Sequence, residues 1–114
     1  MSIPVALADL ASAMVRFGRA PYLITVGPDG APHAASVTIE WSDGKLVAGA
    51  GRHTVANVRA NNAVALLWPP PEPGDYTLIV DGPGEVQEMG PHLLVVIEPR
   101  TAIYHATVPG LPKE

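Results

Sequence analysis

Three side chains of different chemistry follow one another at Arg52, His53 and Thr54, directly after Gly51. They are a guanidinium, an imidazole and a hydroxyl, and each can donate a hydrogen bond to an anion. The segment 46–68 has the pattern of a strand, a turn of small residues, a short helix and a second strand. A helix that begins at these residues has unpaired backbone N–H groups and the positive end of its dipole there. The pattern therefore predicts a seat for a phosphate or carboxylate group.

The other residues that could do chemistry form no recognisable constellation. No two of the four histidines, His33, His53, His92 and His105, have the spacing of a metal pair, so we expect no metal site. The chain has no cysteine and no Gly-x-Ser-x-Gly elbow, which argues against nucleophilic hydrolysis. Residues 49–51 match only a fragment of a dinucleotide-binding fingerprint, because the third glycine is missing. No side chain is identified as a catalytic acid or base.

The composition limits the class of protein. A chain of 114 residues with 47% apolar residues predicts one globular domain. The formal net charge of −4 argues against nucleic acid or an anionic membrane as a partner. No run of residues is long and apolar enough to span a membrane, and no signal peptide is recognised, so we expect a cytoplasmic protein. The 11 glycines and 13 prolines indicate many turns, which is typical of a mainly β fold.

Two helices and a series of short strands must position the candidate site. An amphipathic helix is predicted to begin near residues 2–4 and to end at Gly18, because its apolar residues have helical spacing. These residues are Leu7, Leu10, Met14 and Phe17. The second helix is the short one that begins at Gly51 and precedes a strand at 63–68.

The strands are predicted from alternation, β-branched residues and turn signals. A turn is expected at 81–83, and the proline-rich segment 69–74 is interpreted as a rigid loop or a plain connector. Short antiparallel strands joined by tight turns close most simply into a small barrel, because closure removes exposed edges. The predicted strands are 22–26, 33–41, 45–50, 63–68, 76–80, 84–88 and 93–98, with an extension past Pro99 through 101–107.

This order of elements and motifs resembles the FMN-binding split-barrel family related to pyridoxamine 5'-phosphate oxidase, which also contains oxidoreductases that use the deazaflavin coenzyme F-420. The resemblance covers nearly the whole chain. Each motif alone is a weak signal, but the order and spacing of the motifs together are specific. The motifs are the strand 21–26, Gly30-Ala31-Pro32-His33, Ser36-Val37-Thr38, Gly51-Arg52-His53-Thr54, and Asn57-Val58-Arg59-Ala60-Asn61 before the strand 63–67.

The resemblance implies a six- to seven-stranded antiparallel split β-barrel with an N-terminal helix and one short helix after the third strand. It places this domain at 1–107 and leaves a tail at 108–114. It also implies a homodimer that holds FMN, or alternatively F-420, in a groove between two barrels and transfers a hydride or electrons to a small-molecule substrate. The implied cofactor residues are Ser36, Val37 and Thr38 along the ring, and Gly51, Arg52, His53, Thr54 and Asn57 around the phosphate.

Departures from the family pattern leave other functions open. Thr54 stands where many members carry a lysine or a second arginine, and the paired arginines that bind substrate phosphate in the true oxidases have no counterpart. Oxidation of vitamin B6 is therefore not expected. A non-catalytic module that binds or stores a flavin, deazaflavin or tetrapyrrole is the alternative, and a structural dimer with a decayed groove is a third. The seven Lys and Arg residues favour FMN over F-420, whose polyglutamate tail needs basic partners.

Overall fold

The computed structural model describes residues 1–112 and contains nine strands, two α-helices and one turn of 3₁₀ helix. The 3₁₀ turn, Leu7–Asp9, leads directly into helix α1, Leu10–Phe17, and helix α2 is Arg52–Ala60. The strands are β1 Ser2–Pro4, β2 Tyr22–Val26, β3 Pro32–Ser36, β4 Ile39–Ser42, β5 Lys45–Gly49, β6 Ala63–Trp68, β7 Thr77–Met89, β8 His92–Ile97 and β9 Thr101–His105.

All strand pairs are antiparallel, and the order across the sheet is β3-β2-β6-β7-β8-β5-β4. Strand β7 is the longest and belongs to both halves of this sheet. Its first half pairs with β6 on one side and β9 on the other, and its second half pairs with β8. The two ends of the sheet approach each other where Val37 and Ile39 donate backbone hydrogen bonds to the carbonyls of Pro21 and Arg19. The sheet is not closed, which confirms the predicted split barrel.

The sheet bends at a bulge opposite the middle of β7. Gly84 of β7 pairs with Ile97 of β8, and Asp81 of β7 pairs with Thr101 of β9. The segment from Ile97 to Thr101, which includes Pro99, is therefore one residue longer than the segment of β7 that it faces. An extra residue of this kind bends the strand that contains it. The segment 98–100 crosses over β7 at Gly82, where a Cβ would lie 1.9 Å from the carbonyl oxygen of Glu98. Glycine is therefore required at this crossing, and the two halves of the barrel meet here.

The interior of the barrel is apolar and continuous across both halves. Alternate residues of the strands point inward, as the period of two requires. Helix α1 contributes Leu10 and Met14 to this core, and Gly18 ends the helix with a φ of 86°, as predicted. The indole of Trp68 donates a hydrogen bond to the Gly18 carbonyl at 2.9 Å, which ties β6 to the end of α1.

Three expectations about elements were wrong. The turn predicted at 81–83 is absent, because Gly82 and Pro83 continue β7 in register with β6. Residues 2–4 form β1 rather than the start of a helix, because they pair with β9. The strand predicted at 33–41 is divided, because its first part pairs with β2 and its last part with β5.

The remaining differences are of extent. The structure has nine strands where six or seven were predicted. Strand β1 was not foreseen, β3 and β4 are separate and β9 is a strand of its own, whereas the predicted strands 76–80 and 84–88 are the single strand β7. Residues 108–112 of the predicted tail contain no helix or strand, and residues 113–114 lie outside the described part of the chain. Within residues 1–112, no helix has the length and apolar character needed to cross a membrane.

Candidate functional site

The predicted anion seat lies at the N-terminus of α2. Gly51 is the N-cap, has extended backbone (φ −81°, ψ 173°) and gives the first turn no side-chain hydrogen bond. Its carbonyl accepts the first helical bond from the N–H of Val55 at 3.0 Å. The N–H groups of residues 52–54 precede that bond and are the orphan donors of the helix. A Cβ at Gly51 would meet no atom within 4 Å, so the approach to this turn is open.

Helix α2 packs on the core with one side only. Thr54, Val55, Asn57 and Val58 are buried, whereas Arg52, His53, Ala56 and Arg59 are exposed. This alternation is the amphipathic pattern of a helix that packs on a core with one side. Arg52 makes no ion pair with any residue in 1–112, although Arg16, Arg19 and Arg100 each pair with a carboxylate. The guanidinium is therefore available to an anion at the helix start.

The ring of His53 stacks on the ring of His33, with centroids 4.2 Å apart and planes inclined by 25°. This contact places the beginning of α2 against the first half of β3. Nδ1 of His33 is buried and has no hydrogen-bond partner among the described residues. Both rings line a pocket of about 410 Å³. The other lining residues are Gly27, Pro28, Asp29, Ala31, Pro32 and Asn57.

A buried pair of polar side chains, Asn57 of α2 and Thr25 of β2, lies beside this pocket. The amide Nδ2 of Asn57 donates a hydrogen bond of 3.1 Å to Oγ1 of Thr25, and both residues are almost fully buried. A Cβ at Gly27 would lie 3.2 Å from Oδ1 of Asn57, so the turn after β2 also packs closely on this amide. The carboxylate of Asp29 accepts a hydrogen bond from the N–H of Ala31 and so closes that turn. These contacts position α2 on β2.

The structure brings some predicted site residues together and separates others. Gly51, Arg52 and His53 form one exposed group, whereas the side chains of Thr54 and Asn57 are each only 3% exposed. The Thr54 hydroxyl is therefore withdrawn from the surface, and its backbone N–H remains in the first turn.

Residues 36–38 lie at the far end of β3 and just beyond it. Ser36 and Thr38 are exposed, while the half-buried side chain of Val37 packs against the core. Ser36 lies three positions along β3 from His33, which is about 10 Å. The assignment of these residues to a cofactor stays a prediction.

Sequence reasoning missed the contributions of His33, Asp29 and Thr25. From the sequence, His33 is considered only as a metal ligand, and that role is excluded because its distance in sequence from His53 matches no helix or strand spacing. The signal available was the alternation of residues along 33–41. His33 and the inward residue Ile39 are an even number of positions apart, so an extended chain places them on the same side. Within the described residues no group of three or more His, Asp or Glu side chains could hold a metal ion.

Comparison with known proteins agrees with this fold. The family model described as pyridoxamine 5'-phosphate oxidase matches residues 12–114. An uncharacterized protein of Mycobacterium bovis is 40% identical over 65 residues, which is 57% of this chain. The chain spans 39% of the length of that relative.

Three solved structures share the fold at low sequence identity. One is a Listeria innocua protein named after pyridoxamine 5'-phosphate oxidase, 20% identical, with a TM-score of 0.71 over 87% of this chain and 98% of that chain. An FAD-binding protein from Mesorhizobium loti is 15% identical, with a TM-score of 0.67 over 95% and 98% of the two chains. An F420 reductase is 21% identical, with a TM-score of 0.65 over 80% and 94%. Because the family model matches residues 12–114 of the chain, the chain belongs to the pyridoxamine 5'-phosphate oxidase family.

Proposed function

We propose that the chain binds FMN and acts as a flavin-dependent oxidoreductase on a small-molecule substrate, with F-420 as the alternative cofactor. The observation that carries this proposal is the open first turn of α2. It combines orphan N–H groups, the positive end of the helix dipole and the Arg52 cation, which pairs with no carboxylate in residues 1–112, in one exposed place. A terminal phosphate group is the anion that such a turn accommodates best, because it accepts several charge-assisted hydrogen bonds at once.

The residues present fit a phosphate. Arg52 would bind two phosphate oxygens with its planar fork, and the imidazole of His53 would donate a third hydrogen bond. The N-cap residue contributes no competing oxygen, since glycine has no side chain and the first turn has no side-chain cap. Thr54 would take part through its backbone N–H, because its hydroxyl is buried.

Residues at the other end of β3 would contact the ring. Ser36 is exposed about 10 Å along β3 from His33, and Thr38 is exposed two residues beyond the end of that strand. The ribityl chain of FMN joins its ring to its phosphate over a comparable distance. A bound flavin supplies the hydride or electron transfer, and the protein contributes placement of ring and substrate. No side chain of the chain is assigned as an acid or base.

The cofactor groove is proposed to be completed by a second copy of the chain. The outward side of β2, β6, β7 and β9 carries what we call the outer apolar face. Tyr22 pairs with Leu67, Leu67 with Ile79, and Ile79 with Ile103, so these side chains form one row across four strands. Both helices place their buried residues on the opposite, inner side of the sheet. A contiguous apolar surface of this kind marks an interface between proteins.

The similar proteins support a flavin or deazaflavin rather than an unrelated ligand. One of the three structures is of an FAD-binding protein and another of an F420 reductase. FMN is preferred over F-420 because the chain has only seven Lys and Arg residues, and Arg16, Arg19 and Arg100 are already paired with carboxylates. The basic residues left over are too few for a polyglutamate tail.

Titration of the purified protein with FMN, followed by the visible spectrum and flavin fluorescence, tests this proposal. We expect micromolar binding, and then bleaching of the bound flavin by a reduced nicotinamide or a deazaflavin-reducing system. Binding without any turnover would favour the non-catalytic storage module instead. Failure of both FMN and F-420 to bind would contradict a cofactor role and favour a structural dimer with a decayed groove.

A further inference from the structure

Half of the aromatic side chains of the protein meet at one place, beside α1, β9 and the start of β7. The chain has two Trp, three Tyr and one Phe, and three of these residues, Phe17, Tyr76 and Tyr104, are in contact. The ring centroid of Tyr104 lies 6.0 Å from that of Phe17 and 6.0 Å from that of Tyr76, with planes inclined by 22° and 39°. Spacings of this order are those of favourable aromatic pairs, so the three rings form one continuous wall.

This wall lines a pocket of about 380 Å³, which we call the aromatic pocket. The volume lies in the range of small-molecule sites, about 300–1,000 Å³, and such sites combine apolar and aromatic surface with a few polar groups. Ile3 and Tyr76 are 39% and 37% exposed, so a ligand in the pocket removes apolar surface of both from water. The lining residues are Ile3, Arg16, Phe17, Asp75, Tyr76 and Tyr104.

The elements around the aromatic pocket are each fixed by contacts of their own. Strand β9 pairs with β1 on one side and with β7 on the other. The indole of Trp68 holds the end of α1 through its hydrogen bond to the Gly18 carbonyl. Arg16 of α1 forms an ion pair with Asp75, in the loop before β7. A pocket whose walls are already in place binds a rigid ligand at a lower cost in conformational entropy.

The two charged side chains of the aromatic pocket determine which ligand edge it accepts. Their ion pair uses one Nη of Arg16 and Oδ2 of Asp75. A guanidinium has five N–H donors and a carboxylate has two acceptor oxygens, so each partner can make a further hydrogen bond while the ion pair remains. The pair therefore offers a donor and an acceptor side by side, and its charges cancel. A charged ligand meets a like charge in one of the two members, whereas a neutral ring with a carbonyl next to an N–H meets none.

We propose that the aromatic pocket binds a neutral, planar heteroaromatic ligand, whose edge accepts a hydrogen bond from Arg16 and donates one to Asp75. The face of the ligand stacks on the ring of Tyr76, which is the most exposed of the three rings. The lining of the pocket includes no residue of α2, so this ligand is bound separately from an anion at the start of that helix. The proposal therefore does not depend on the binding of FMN.

An NMR titration of the isotope-labelled protein with the neutral lactam 2-quinolone, without added flavin, tests the proposal. We expect a dissociation constant below about 1 mM, with ring-current shifts centred on the residues of the aromatic pocket. The anion quinoline-2-carboxylate and the cation N-methylquinolinium should bind about threefold more weakly or less, because each meets a like charge. The non-aromatic δ-valerolactam should also bind more weakly, because it cannot stack. Binding of any of these three that equals or exceeds that of 2-quinolone would overturn the proposed ligand class.

Two pairs of variants locate the binding site. Tyr76→Leu removes the stacking ring but keeps an apolar side chain, and should weaken binding of 2-quinolone about fivefold. Its control is Trp41→Leu, at a 38% exposed position of β4. Arg16→Met removes the hydrogen-bond donor and should weaken binding about three- to tenfold. Its control is Arg19→Met, because the Arg19 side chain is 62% exposed against 60% for Arg16 and is also paired with a carboxylate.

The two control variants should bind 2-quinolone as the unmodified chain does. Equal affinity of Tyr76→Leu, Arg16→Met and the unmodified chain would overturn the proposal, because the probe would then bind elsewhere. Absence of binding to the unmodified chain would also overturn it, including the case in which sedimentation analysis shows that Tyr76→Leu disrupts a dimer and a second copy covers the pocket. Neither result bears on the proposed function, which the titration with FMN tests separately.

Discussion

At the scale of single residues, the candidate site combines the exposed Gly51, Arg52 and His53 with buried contacts that hold α2 in place, above all the hydrogen bond from Asn57 to Thr25. Gly51, Arg52 and His53 could be recognised because helix-start signals are local in sequence. The burial of Thr54 and the contact of His33 with His53 depend on how α2 packs against β2 and β3. No pattern within one element contains that information, because the partners are 20 and more residues apart.

The hydrogen bond between Thr25 and Asn57 is predicted to stabilise the packing of α2 on the sheet. Thr25→Val keeps the shape and the strand preference of the side chain but leaves the buried amide of Asn57 without its acceptor. We expect a loss of about 1–3 kcal/mol in the free energy of unfolding, measured by denaturant titration. Thr101→Val, at an exposed position of β9, is the control and should change stability by less than about 0.5 kcal/mol. Equal losses of unfolding free energy in the two variants would contradict a stabilising role of the buried hydrogen bond.

At the scale of elements, the strands and helices with regular period were predicted well. Strands β2 and β6 and the end of α1 at Gly18 are where the pattern placed them. The wrong predictions concern strands whose existence or bounds depend on their pairing partners. Strand β1 forms because it pairs with β9, and β3 is separate from β4 because β3 pairs with β2 and β4 with β5. The signal Asp81-Gly82-Pro83 looks like a turn locally, but Gly82 serves a close crossing in the middle of β7.

Substitution of Gly82 tests that interpretation of β7. Gly82→Ala places a Cβ against the Glu98 carbonyl, and backbone atoms must move to relieve the overlap. We expect a loss of about 2–3 kcal/mol or more in unfolding free energy. Gly49→Ala is the matched control, because a Cβ there meets nothing within 4 Å, and it should be neutral or stabilising by about 0.5 kcal/mol. Similar stability of the two variants would contradict the close crossing.

The first turn of α2 offers a second test at this scale, because a capping side chain and an anion compete for the same N–H groups. Gly51→Ser adds an N-cap oxygen and should stabilise the helix by a few tenths of a kcal/mol while it weakens FMN binding several-fold. Gly51→Ala adds a Cβ without an oxygen, so we expect lower stability and FMN affinity within about twofold of the original. Equal affinities of the serine and alanine variants would mean that the phosphate does not use this turn.

At the scale of the whole molecule, the split barrel was predictable from the number and spacing of the strands, and its second copy remains a proposal. Sequence alone could not identify the outer apolar face, because only the register across β2, β6, β7 and β9 aligns its residues. Leu67→Lys places a charge in the middle of this face and should convert the dimer to monomer in sedimentation analysis. Val15→Lys, at an 83% exposed position of α1, should leave the dimer intact. A monomeric unmodified chain, or a Leu67→Lys variant that still dimerises, would show that the outer apolar face is not a dimer interface.

The open start of α2 is proposed to bind the phosphate of FMN through Arg52, and the ratio of the FMN dissociation constants with and without that side chain measures this contribution. Fluorescence titration of the unmodified chain, Arg52→Ala and Arg59→Ala with FMN and with riboflavin provides the comparison. Loss of a charge-assisted hydrogen bond predicts that Arg52→Ala weakens FMN binding about 10- to 100-fold, while riboflavin binding stays the same. Arg59→Ala, at the other end of the same helix, should bind FMN as the unmodified chain does. FMN affinity that is equal in the two arginine variants, or equal to that of riboflavin, would contradict the claim.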